Sequence, residues 1–148
     1  MIQFKPLVIS DIDIIVKMMQ EFYAIDNYPI DTTISKSLFK EFIADKNLGK
    51  AWLILSDNEI VGYVILTFIF SFEYQGKIAF LDELYLSKKA RGKGIGSKAV
   101  AFIIEESKKS SLKLIYLEIE NHNQNAQKLY LASGFELHNR KLMAHKIK

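Results

Sequence analysis

The chain has 148 residues, 49% hydrophobic and 25% charged, an ordinary balance for a globular protein and enough for one sizeable core. Its 20 basic and 17 acidic side chains leave a formal charge of +3, too mild to imply a nucleic-acid partner. There is no cysteine, which excludes disulfides, thiolate nucleophiles and cysteine-based zinc sites.

Met1-Ile2-Gln3-Phe4-Lys5-Pro6 lacks the basic and apolar regions of a signal peptide. The longest apolar run, Ile60 to Phe72, contains Gly62, Thr67 and Ser71 and falls short of the roughly 20 residues of a membrane-spanning helix. A cytoplasmic protein without membrane contacts is expected.

Ile2 to Lys5 alternates like a short strand and stops at Pro6. Ser10 can cap a helix whose first turn holds Asp11 and Asp13, and Ile12, Ile15, Val16, Met19 and Phe22 form its inward stripe. That helix ends before Asn27-Tyr28-Pro29. A second, starting after Asp31 or Thr32, carries Ile34, Leu38, Phe39, Phe42 and Ile43 on one face and stops at Asn47-Leu48-Gly49. From Ala51 the period changes. Ala51–Ser56, a turn at Asp57-Asn58, and Ile60–Phe72 read as an antiparallel hairpin. Phe68, Phe70, Phe72 and Tyr74 line one side of its second strand, a pattern that suits a core or an acceptor pocket, more often the core.

The stretch Phe80 to Ser97 organises the rest. Through Leu86 it is an apolar, aromatic strand with an acidic pair, Asp82-Glu83, whose members should point to opposite faces. Arg91-Gly92-Lys93-Gly94-Ile95-Gly96 then leads into a helix from Ser97, marked by Ala99, Val100, Phe102, Ile103 and Ile104. Such a loop is an anion site in outline. Glycine lets backbone approach a phosphate, a helix N-terminus offers free N–H groups and a favourable dipole, and Arg91 and Lys93 add cationic donors. Further on, Leu112–Ile119 reads as a strand, Asn125–Ala132 as a helix ended by Gly134, and Phe135–His138 and Lys141–Ile147 as short terminal strands. No linker or repeat interrupts the series. The order β-α-α-β-β-β-α-β-α-β-β describes one α/β domain over residues 1–148.

A second motif accompanies the glycine loop. Asn123, Ala126, Tyr130, Gly134 and Phe135 follow the next strand, with Ala126 and Tyr130 four apart on one helix face and Asn123 placed to cap that helix or bond a ligand. Together the two resemble the GCN5-related N-acetyltransferases, the GNAT family, in motif order, spacing and context. That family has an Arg/Gln-x-x-Gly-x-Gly/Ala loop after its fourth strand and Asn-x-x-Ala-x-x-x-Tyr-x-x-x-Gly-Phe after its fifth. The resemblance covers essentially the whole chain. It implies a mixed, mostly antiparallel central sheet with a splayed parallel strand pair and flanking helices.

The resemblance also implies a cofactor, acetyl-CoA, and no metal. Gly92, Lys93, Gly94, Ile95, Gly96 and Ser97 would bind its pyrophosphate through backbone N–H groups, with Arg91 assisting. The backbone of Leu84, Tyr85 and Leu86 would pair with the pantetheine arm, which Asn123 and Ala126 would also line. Tyr130 would place its hydroxyl near the thioester sulfur. Acetyl transfer to an amine needs a neutral nucleophile, an oxyanion donor and a proton for the departing thiolate. A backbone N–H near Leu84 suits the oxyanion, Tyr130 the thiolate, and Asp82 or Glu83 the amine proton if burial raises its pKa.

Within the family, Gly76-Lys77 and the strand that follows are most similar to the polyamine and thialysine acetyltransferases, whose strand carries Glu-Asp where this chain has Asp82-Glu83. Asp82 therefore holds the position at which the subgroup's Glu meets the substrate amine. Asp26 matches an acidic substrate contact of that subgroup, although Ile25 stands where the subgroup has Tyr. With Glu118, these acids favour a small cationic primary amine as substrate. A peptide or protein-lysine acetyltransferase is the alternative within the class, and a non-catalytic acyl-CoA-binding sensor the alternative outside it. Relatives in the family often cover a free sheet edge by dimerising, so a homodimer is expected.

Overall fold

The computed structural model describes all residues 1–148. They form two compact units, Met1–Glu118 and Ile119–Lys148.

The first unit is built on a five-stranded sheet in chain order: β1 (Ile2–Pro6), β2 (Gly49–Ser56), β3 (Glu59–Ser71), β4 (Gly76–Leu86) and β5 (Ile115–Tyr116). Each neighbouring pair is antiparallel except β4 and β5, which run parallel. The turn between β2 and β3 has positive φ at both Asp57 (48°) and Asn58 (67°), as a two-residue primed hairpin turn requires. Asp and Asn tolerate that region better than other non-glycine residues.

Helices cover both faces, which is why Ala51 to Ile54 and Val61 to Leu66 are buried without alternation. On one face lie α1 (Ile12–Ile25) and α2 (Thr32–Ala44). Ile12, Ile15, Val16 and Met19 of α1 pack with Phe39, Leu53, Tyr63 and Ile65. Ile15 and Val16 are fully buried, each worth about 1.5–3 kcal/mol in transfer from water. Asp31 caps α2 by accepting from the Ile34 N–H at 3.1 Å. On the other face lies α3 (Ile95–Lys109), whose Ile95 and Ala99 pack on Ile54 and Val61, while Phe102 stacks on Phe4 at 4.2 Å and meets Trp52 edge-on.

Two departures from the sequence reading shape one end of the sheet. The first is a β-bulge: Ile65 and Leu66 of β3 face Glu83 and Leu81, leaving Asp82 as the extra residue of β4. The second is the shortness of β5. The expected strand Leu112–Ile119 keeps only two rungs, Ala79 with Ile115 and Phe80 with Tyr116. A bulge bends its strand and increases the local twist, and this one falls just beyond the last rung. From Leu81 onward β4 has no ladder on that side.

The second unit contains α4 (Gln124–Ala132) and no strand. The terminal strands expected at Phe135–His138 and Lys141–Ile147 do not form. An alternating pattern makes a strand only where a neighbour takes its hydrogen bonds. Here Leu137, Leu142, Met143 and Ile147 are all more than 70% exposed. No helix of the chain is long and apolar enough to cross a membrane.

Candidate active site

β4 ends at Leu86 and leads through Ser87 and a 3-10 turn, Lys88–Ala90, to Arg91 and the glycines. Arg91 lies back over the end of the strand: its Nε donates to the Leu86 carbonyl at 3.0 Å, and its guanidinium sits 5.9 Å from the centre of the Tyr85 ring. Gly92 (φ 75°) and Gly94 (φ 78°) are left-handed, a region that favours glycine. Nothing lies within 4 Å of the Cβ that a side chain at either would carry, so the space above them is open. Gly94 is the N-cap of α3 and supplies no side-chain acceptor. The first N–H groups of the helix, at Ile95, Gly96 and Ser97, have no intrahelical acceptor either, and they face an uncapped end. Ile95, 4% exposed, anchors this turn in the core. Lys93 is exposed beside it.

The bulge overturns the expectation that Asp82 and Glu83 point to opposite faces. Both line one cavity of about 220 Å³ between α1, α2, β3 and β4, together with Met19, Tyr23, Leu38 and Phe42. The extra residue breaks the period-2 alternation at that step. Glu83 is held at both oxygens. Tyr23 donates its hydroxyl to Oε2 at 2.7 Å and Tyr63 donates to Oε1 at 2.7 Å. Desolvation raises the Glu83 pKa above the ordinary carboxylate range, the two tyrosine hydrogen bonds pull it back in part, and neighbouring Asp82 adds to the rise. Burial also raises the Asp82 pKa, although that residue is the more exposed of the two. The hydroxyls of Tyr23 and Tyr63 are themselves pushed well above the usual tyrosine value, first by burial and then by Glu83, so they remain donors at every working pH.

Tyr23 and Tyr63 were not singled out by the sequence. A signal was available: Tyr23 follows Met19 by one helical turn on the inward face, and a buried tyrosine has to place its hydroxyl on a partner. A larger cavity of about 430 Å³ lies where α2 meets the start of β2, lined in part by Lys46, Lys50 and Glu106. It has neither a carboxylate pair nor any residue of β4, so volume alone does not mark the site.

Leu84, Tyr85 and Leu86 pair with Val64, Tyr63 and Gly62 of β3, and their opposite edge carries no strand. Asp26 caps the C-terminal end of α1 and Glu118 is exposed beyond β5, and neither lines the 220 Å³ cavity. Phe70 and Phe72 do not line it either. They are 69% and 89% exposed and pack edge-on against each other, belonging to neither core nor pocket.

In the second unit, Asn123 is a helix cap. Its Oδ1 accepts from the Ala126 N–H at 3.0 Å, which fixes the first turn of α4. Tyr130 packs edge-on against Phe135 at 5.6 Å, and the Phe135 N–H donates to the Tyr130 carbonyl at 3.0 Å. Burial pushes the Tyr130 hydroxyl up to about 12.

The sequence profile of the Acetyltransferase (GNAT) family matches residues 16–135, across both units. The chain belongs to the GNAT family. Among solved structures, the integron cassette protein HFX_CASS3 from the mobile metagenome of Cole Harbour Salt Marsh superposes with a TM-score of 0.89 at 29% identity, covering 99% of this chain and 91% of that one. A predicted acetyltransferase of Clostridium acetobutylicum, solved with acetyl-CoA, shares the GNAT fold at a TM-score of 0.82 and 18% identity, over 98% and 96% of the two chains. The thialysine N-epsilon-acetyltransferase of Bos taurus is 31% identical over 75 residues, 51% of this chain and 44% of that protein. The chain spans about half the length of the curated relatives it matches.

Proposed function

We propose that this GNAT chain is an acetyl-CoA-dependent N-acetyltransferase that acetylates the primary amine of a small cationic molecule, with residues 1–148 as a single N-acetyltransferase domain. The observation that carries the reading is the double role of β4. Its bulge turns two carboxyl groups into one cavity, while its free edge and the following loop offer unpaired backbone donors.

The residues present fit acetyl-CoA. An uncapped helix start, two left-handed glycines and open space above them suit a pyrophosphate. Residues Gly92 to Ser97 would hold that group, Arg91 and Lys93 would add charge, and the free edge of Leu84 to Leu86 would take the pantetheine amides. Asn123 and Ala126 would line the same arm, with the Asn123 carbonyl oxygen already committed to its cap. Bound there, acetyl-CoA supplies an acetyl group activated as a thioester.

The chain's own groups supply the proton transfers. Asp82 holds the incoming ammonium, and Glu83 accepts its proton so that the nitrogen attacks as a neutral amine. A raised pKa makes Glu83 a better base near neutral pH than an ordinary carboxylate. The Leu84 N–H would stabilise the oxyanion, and Tyr130, whose hydroxyl burial keeps protonated, would supply the proton for the leaving thiolate. The new N–C bond would replace the C–S bond; the nitrogen would lose one proton to Glu83 before attack and a second to water after it, and Tyr130, once its proton is on sulfur, would be reprotonated by solvent.

The test is release of free CoA from acetyl-CoA over a panel of primary amines, followed against pH. The rate should fall as pH drops through the raised Glu83 pKa, because protonation removes the base. Tyr23→Phe removes a bond that lowers this pKa, so its acidic limb should lie at still higher pH. Acetyl-CoA bound but never consumed, with any amine, would establish the sensor reading instead.

We propose a homodimer as well. Ile69, Phe70 and Phe72 expose apolar surface together at the end of the β3–β4 hairpin, a cluster a monomer has little reason to keep. Light scattering at micromolar concentration should report twice the 17.0 kDa chain mass, and a 17.0 kDa particle would rule the dimer out.

A further inference from the structure

α2 has more apolar surface than its packing uses. Of the stripe Ile34, Leu38, Phe39, Phe42 and Ile43, only Phe39 is buried, and Leu38 remains 56% exposed. The spacing of Ser35, Leu38, Phe39 and Phe42 at steps of three and four puts them on one helix face, and all four line the 220 Å³ cavity. Met19 of α1 and Ile65 of β3 add apolar lining, Ile65 as the cross-strand partner of Glu83, and Tyr23 and Thr67 add hydroxyls. Asp82 and Glu83 are the only charged residues in the lining, and they are adjacent on β4.

The cavity therefore has two unlike sides: β4 brings both carboxylates, and α2 brings Leu38, Phe39 and Phe42 with a single hydroxyl, Ser35. A cation fits the first. The second offers a second ammonium no carboxylate, only the Ser35 hydroxyl beside Leu38, Phe39 and Phe42, so a second charge there loses hydration without an ionic partner to offset it. The volume lies below the roughly 300–1,000 Å³ of pockets for drug-sized ligands, so the occupant is a small group of several heavy atoms. Neither Asp26 nor Glu118 lines the cavity to receive a distant charge.

We infer that the acceptor is a monocationic amphiphilic amine, whose ammonium meets Asp82 and Glu83 and whose short apolar body lies against Leu38, Phe39 and Phe42 of α2. The inference rests on the acetyltransferase reading and narrows it: among cationic amines it selects those with one charge and an apolar tail, against the polyamines and against lysine side chains in peptides.

Two probes on the same six-carbon chain separate these cases, n-hexylamine and 1,6-diaminohexane. The wild-type protein should show a kcat/KM for n-hexylamine at least tenfold above that for the diamine. Shortening the monoamine should lower kcat/KM by about fourfold for each methylene taken from the α2 side. Leu38→Glu places a carboxylate on the α2 side at an exposed helix position, so the fold is kept, and the preference should shift toward the diamine by tenfold or more. A wild-type preference for the diamine, or for a lysine peptide, would overturn the inference while leaving the acetyltransferase reading intact, since CoA is still released. An unchanged ratio in Leu38→Glu would overturn the placement of the tail against α2. No release with any amine would overturn both readings together.

Discussion

Gly94→Asp is expected to abolish acetyl-CoA binding while the fold survives. Gly94 sits at φ 78° at the start of α3, with nothing within 4 Å of an added Cβ. Aspartate tolerates the left-handed region better than most residues, so the conformational cost stays near or below the roughly 1–2 kcal/mol typical of a non-glycine residue there. Its side chain would enter the open space above the loop, where the phosphate is proposed to bind. A like charge set against a pyrophosphate costs several kcal/mol, equivalent to a loss of affinity of at least about a hundredfold. Calorimetry on the folded variant should find no acetyl-CoA binding at concentrations that saturate wild type. Gly94→Ala separates the causes, since it adds the backbone strain without the charge. If Gly94→Asp bound acetyl-CoA as wild type does, the loop would not be the pyrophosphate site.

The features of the fold that were legible in the sequence are those set by local periodicity. The stripe Ile12, Ile15, Val16, Met19 marked α1, the Asp57-Asn58 pair marked the hairpin, and the glycines marked a loop ahead of α3. What escaped depends on long-range geometry. A bulge at Asp82 leaves no compositional trace, because an extra residue in one strand is defined only against its partner. Without it, alternation sends the two carboxylates apart, and with it they meet in one cavity. The stripe on α2 was legible as apolar, yet a pattern cannot say whether a face meets core or an open cavity. The terminal strands failed for the same reason: alternation at Phe135–His138 names a face and supplies no neighbouring strand. The tyrosines around Glu83 come from α1 and β3, 60 and 20 residues away in sequence, and no short motif joins them.

Tyr130→Phe is expected to lower kcat by roughly 10²–10⁴-fold, the range for loss of a general acid, with acetyl-CoA affinity nearly unchanged. The hydroxyl is protonated at every working pH, because burial pushes its pKa up to about 12. A proton held so firmly is of little use to a ground state and would become useful only if, as proposed, the leaving thiolate takes it. The ring has a separate job. It packs edge-on against Phe135, and a phenyl ring of nearly the same volume keeps that contact, so thermal stability should move little. Three measurements on one variant therefore separate chemistry from packing. A fall in kcat at constant acetyl-CoA Kd and constant Tm identifies a proton donor in the transition state. A fall in kcat, affinity and Tm together would mean that the hydroxyl supports the structure. Full kcat with the best acceptor would remove Tyr130 from the mechanism and leave the thiolate to be protonated by solvent, with the β4 cavity and the glycine loop still standing as the binding sites.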